Sequence, residues 1–172
     1  MTAELALIGV LVTPFVHALL VLVLSRPPGL RDLTHILGSL ATAVCAAVLI
    51  QAIADGESAR IVLAHPLPNV ELAFTIEPLG ALVAAVVAGV GVLQAIHNAG
   101  MVRAVQEKAP ARLMAFVAMT SGATMAVAFS ANLLSFFVAY QVLALAAFPL
   151  VAHRGDDDSR RAARIQLARA YL

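Results

Sequence analysis

LLSFFVAYQVLALAAFPLVA, running from Leu133 to Ala152, is a stretch of 20 residues without a charged side chain. A helix of that length covers about 30 Å, the thickness of bilayer hydrocarbon. Working back toward the N-terminus, similar apolar stretches occur at Leu113–Phe129, Leu79–Ile96, Leu33–Ala54 and Leu5–Leu24. Threaded alternately through a bilayer, these segments put Arg26, Arg31, Arg103, Lys108, Arg112, Arg154, Arg160, Arg161, Arg164 and Arg169 on one side. Only Arg60 falls on the other. The asymmetry follows the positive-inside rule and predicts an N-terminus outside and a C-terminus in the cytoplasm. The expected fold is all-α and polytopic, with about five transmembrane helices in a bacterial inner (plasma) membrane.

Composition agrees. The chain has 172 residues, 62% of them hydrophobic and 12% charged, too greasy for an ordinary soluble domain. A net charge of +1 conceals a separation, because Glu4, Asp55, Glu57, Glu71 and Glu77 lie opposite the basic loops. The cations sit where topology needs them, so nucleic acid is not an expected partner. The one cysteine, Cys45, can form no internal disulfide and reads as a packing residue. Glu4 before the first apolar run, with no basic n-region, argues for a first membrane helix over a signal peptide. Tryptophan is absent and aromatic residues are scarce, which suits a subunit enclosed by other subunits.

Local patterns fill in the connections. Pro14 predicts a bend in the first helix, where it frees the carbonyl of Val10. Ser25–Asp32 forms a short inside loop. In the outside segment, Val70, Leu72, Phe74 and Ile76 alternate with Glu71, Ala73 and Thr75. That period of two predicts a strand, paired with Ile61-Val62-Leu63 across His65-Pro66-Leu67-Pro68-Asn69 as a short outer β-hairpin. Glu77-Pro78 predicts the start of helix three, with Glu77 as a cap. Thr120, Ser121, Gly122 and Thr124 allow close helix approach in lipid. Asp156-Asp157-Asp158 precede a helix start with Ser159 as N-cap, which explains three adjacent carboxylates without a metal. From Arg160 the chain reads as the start of a sixth helix. The organisation expected is residues 1–54 for helices one and two, 55–77 for the outer loop, 78–153 for helices three to five, and 154–172 for the cytoplasmic loop and start of helix six.

Three polar residues are ion-pathway candidates. Gln141, near the middle of its span, needs a partner or water at membrane depth; an interhelical hydrogen bond is the structural alternative. His17 lies deep in the first span and is either a satisfied structural histidine or a proton relay. His153, like His97, ends a span on the inner side, favouring the negative helix terminus or bordering a water channel. No phosphate loop, ligand cluster or nucleophile constellation is evident, so no catalytic residue, metal or cofactor is expected.

The run from Asn132 to His153, ending Phe148-Pro149-Leu150-Val151-Ala152-His153 and followed by Ser159-Arg160-Arg161-Ala162-Ala163-Arg164, resembles helix five and its continuation in a known family. That family is the antiporter-like membrane subunits of respiratory complex I and the Mrp-type multisubunit cation/proton antiporters, and the D-subunit-like Mrp branch is the most similar. The opening Glu77-Pro78-Leu79-Gly80-Ala81-Leu82 and the hairpin fit the family layout. By motif the resemblance extends from Asn132 to Arg164, and by topology over the chain. It implies a membrane subunit, or the N-terminal part of one, in a proton- or sodium-translocating assembly, with other membrane subunits and lipid as partners. The family carries a glutamate in the middle of helix five, paired with a lysine on a later helix. Here Gln141 stands at that position, and it cannot supply the counter-charge. The resemblance therefore leaves two expectations: an ion-translocating subunit without a complete path of its own, or a degenerate subunit with a scaffold role.

Overall fold

Proline marks where three helices begin. Pro28, Pro78 and Pro110 each stand at the first turn, where the missing N–H would have had no partner and the fixed φ suits a helix. The structure, a computed structural model, describes residues 3–68, 70–153 and 157–171. In order they form α1 (Ala3–Val23), α2 (Pro28–Ala54), β1 (Arg60–Leu67), β2 (Val70–Thr75), α3 (Pro78–Ala104), α4 (Pro110–Ala128), α5 (Leu133–Val151) and α6 (Asp157–Tyr171). The first five helices are long and apolar enough to cross a membrane, and the chain is a multi-pass membrane protein. Helix α1 packs on α2 and α4, α2 on α3, and α4 on α5.

The packing is that of helices in lipid. Large apolar side chains point outward, among them Leu19, Leu79, Leu93 and Leu133. Buried apolar positions are mostly alanine, because without a hydrophobic drive between helices, backbones gain contact by coming close. A Cβ on Gly122 of α4 would lie 2.9 Å from Pro14 Cβ and 3.0 Å from the Phe15 ring of α1. The main apolar core, including Leu7, Val10, Leu49, Ala84, Met125 and Phe129, sits in the half of the bundle nearer the hairpin.

The hairpin forms as expected from the alternation, antiparallel with Arg60 opposite Thr75, Ile61 opposite Phe74 and Val62 opposite Ala73. It is not a free flap. Thr75 N–H donates to Phe129 O at 2.8 Å and Ala131 N–H to Ala73 O at 3.0 Å. Asn132 caps α5 by accepting from Ser135 N–H, and its amide donates to Glu71 O at 2.7 Å. Ser135 Oγ accepts from Ala73 N–H at 2.8 Å. The hairpin is thus bolted to the α4–α5 connection. Strand β1 continues through His65 and Pro66 to Leu67, so the turn is tighter than the sequence suggested.

Other boundaries differ in instructive ways. Helix α2 starts five residues before Leu33, so Arg31 and Asp32 are helical, and α3 runs on to Ala104, leaving His97 exposed and within the helix. Helix α1 continues through Pro14. Glu77 stands at the N-cap of α3 but its carboxylate makes no capping bond. Ser159 lies inside α6, with Asp157 and Asp158 in the first turn, where carboxylates favour the positive helix end. Helix α6 folds back on α5, and Arg169 lines a groove with Tyr140 and Ala144, away from the loops. Asn69, Arg154, Gly155, Asp156 and Leu172 lie outside the described residues.

Candidate functional site

Along α2, the buried residues Asp32, His35, Ser39 and Thr42 are spaced by three or four, which puts them on one face. They cover about 15 Å of helix, half the hydrocarbon thickness. Beyond them the same face becomes Ala46, Leu49 and Ala52. One half of a single helix face is polar and the other half apolar, and the polar half lies away from the hairpin.

At the end farthest from the hairpin Asp32, 2% exposed, lies between two arginines. Arg31 donates to Asp32 Oδ1 through Nε at 2.9 Å and Nη2 at 2.6 Å. From α3, Arg103 donates to Oδ2 through Nε at 2.8 Å, with Nη2 2.7 Å away. Arg31 is buried and Arg103 is largely exposed, so the cluster reaches the surface at the end of α3. A groove lined by Gly29, Leu33, Ile36, Ala99 and Gly100 opens beside it.

One turn farther in, His35 Nδ1 lies 3.0 Å from His17 Nε2 of α1. Gly38 makes this crossing possible, because a Cβ there would land in the His17 ring. Beside the two rings is a cavity of about 20 Å³, bordered by Ser39, Thr42 and Ser121 together with apolar residues of α3 and α4. It has room for about one water. His35 Nε2 is buried with no hydrogen-bond partner.

The residues singled out by sequence fall in three places. His17 joins the polar face just described. Gln141 is half-buried in mid-α5, and its Oε1 is buried without a partner; Oε1 of Gln166 on α6 is in the same condition. His153 meets the α3–α4 loop, with Nε2 3.1 Å from Glu107 Oε1, within ion-pair distance but not aligned as a hydrogen bond. The Glu107 carboxyl is held below the usual range, first by the Ala109 N–H; burial opposes this as the next-largest effect, and His153 adds to the lowering. His35, Asp32 and Arg103 were missed, although the spacing of polar residues along α2 carried the signal. Among the described residues, no three His, Cys, Asp or Glu side chains are grouped to hold a metal.

These features define a polytopic helical membrane protein with a small hairpin and a polar interior in one half. No protein-family model and no curated protein matches the chain. Among solved structures it is similar to a chain of the membrane-bound sulfane sulfur reductase, an archaeal respiratory membrane complex, with a TM-score of 0.80 at 18% identity. The match covers 96% of this chain and 34% of that one, so this sequence spans about a third of its neighbour's length. At that identity the likeness establishes the fold.

Proposed function

We propose that the chain is a membrane subunit, or part of one, of a multisubunit respiratory or cation/proton-translocating complex, of the antiporter-like kind and nearest the D-subunit-like Mrp branch. The observation that carries this is the fold, shared over 96% of the chain with a chain of a respiratory membrane complex. The sequence run Asn132–Arg164 supports the same reading. The basic loops support an orientation with the hairpin end outside a plasma membrane and the Asp32–Arg103 end in the cytoplasm. Other membrane subunits would cover α5, of whose span only 22% is buried, against 39% for α1.

The resemblance supports a second reading, a scaffold subunit: Gln141 stands where the antiporter-like family carries a glutamate. Membrane vesicles from a strain lacking the chain separate the two. The translocating reading expects the complex to assemble while proton or sodium flux is lost; the scaffold reading expects assembly itself to fail. Gln141→Glu sharpens the result. A rise in flux identifies the amide as a disabled site, whereas unchanged flux makes it a packing group.

A further inference from the structure

Hydroxyls around the cavity have already used their protons. Ser39 Oγ donates to His35 O at 3.0 Å, Thr42 Oγ1 to Gly38 O at 3.0 Å, and Ser121 Oγ to Val117 O at 3.1 Å. A hydroxyl has one proton and two lone pairs. What these three oxygens can still offer the cavity is therefore acceptor capacity, and a group inside it must donate.

The histidine contact adds a counting rule. Only one proton fits between His17 Nε2 and His35 Nδ1 at 3.0 Å. In the neutral pair that suits the cavity, His17 Nε2–H donates to His35 Nδ1, and His35 Nε2–H, without a direct partner, is left to reach the acceptor oxygens through one water. An excess proton can be taken up at His17 Nδ1, while the shared proton moves to His35 Nδ1. Both outer nitrogens then carry protons and the central hydrogen bond survives. A second excess proton would set two N–H groups against each other and break the contact. The two rings must titrate as one unit.

We propose that the His17–His35 pair is a binding site for a single excess proton, held inside the bundle on the polar face that begins at Asp32. Burial costs a cation its hydration, and the cavity offsets part of that cost by presenting acceptors. Asp32 stands one turn from His35 but is shared between Arg31 and the exposed Arg103, so the cluster has no spare negative charge and the acceptors carry the offset. The charged and titratable groups facing the pair are His17 from α1, Arg31 and Asp32 from α2, and Arg103 from α3 through Asp32. The α4 residues at the cavity, Val117, Ala118, Ser121 and Met125, do not titrate. The site does not depend on Gln141 or on the translocating reading above. It needs the α1–α2 crossing and the cavity beside it.

Nitrogen NMR of histidine-labelled full chain in phosphatidylcholine nanodiscs, followed through a pH titration, tests this. His17→Gln and His35→Gln assign the signals, and the exposed His65 and His97 serve as references. The expected result is one step in which both rings change together and take up one proton between them. In Ser39→Ala/Thr42→Val, two acceptors are gone and the site should bind its proton about tenfold more weakly, a shift of about one pH unit. Uptake of one proton by each ring, no uptake while the bundle remains folded, or an unmoved midpoint in the double variant would each overturn the proposal. If the double variant does not fold, the wild-type proton count decides alone.

Discussion

The polar sites on α5 and between α1 and α2 are built in opposite ways. Gln141 is conspicuous in the sequence, yet in the fold its Oε1 has no partner and its helix is the least covered of the five spans. His17 and His35 are bonded to each other, enclosed, and joined by one turn of helix to an ion cluster. A polar residue in a span thus marks a requirement, and only tertiary contact shows whether the same chain meets it. The α1–α2 site is enclosed within this chain, with one ring nitrogen, His35 Nε2, left facing the cavity, whereas the α5 site is open to whatever packs against it.

The contrast can be broken most severely at Asp32. Asp32→Ala leaves Arg31 buried without a counter-charge and is expected to cost about 3–5 kcal/mol, read as loss of folded protein in a denaturation series in detergent. Gly38→Ala forces a methyl into the space of the His17 ring; about 1–3 kcal/mol should be lost, with the His17–His35 signals uncoupled in the NMR titration. At the opposite end, Ser135→Ala strands the buried N–H of Ala73. It is expected to cost about 1–3 kcal/mol and to speed amide exchange in β2 without touching the histidine pair.

A smaller effect is expected at the loop. The Glu107 carboxyl is held below its ordinary value of 4.5, so its contribution is full above that pH and is lost as pH falls below it. The melting difference between wild type and Glu107→Gln should therefore be present at neutral pH and vanish in acid. Least of all, Gln141→Leu in the isolated chain should change stability by no more than about 0.6 kcal/mol, because it removes a polar group that has found no bond here. A large loss would show that Gln141 is as fully built in as the histidines.

Local physics wrote much of this fold into the sequence. Uninterrupted apolar length gave the spans, alternation gave β2 and its partner, and Gly122 marked a close helix approach without showing that α1 makes it. The polar face of α2 was harder. Pro27-Pro28-Gly29 reads as loop, so the helix start was placed at Leu33, which put Asp32 outside it and left His35 at its margin. Proline at the first turn begins a helix as readily as it ends one. The pairing of His35 with His17 depends on how α1 crosses α2, and nothing local to either helix encodes that crossing except Gly38. For Gln141 the residue and its depth were legible, but a partner supplied from elsewhere leaves no trace in this chain.

The central claim is that this five-span chain works within a larger membrane assembly. Affinity purification of the tagged chain from its native membrane in mild detergent, followed by native mass measurement, tests it most directly. The account predicts a stoichiometric complex with other multi-pass chains covering α5. Recovery of the chain only by itself or with its own copies, from membranes in which it is folded, would contradict it.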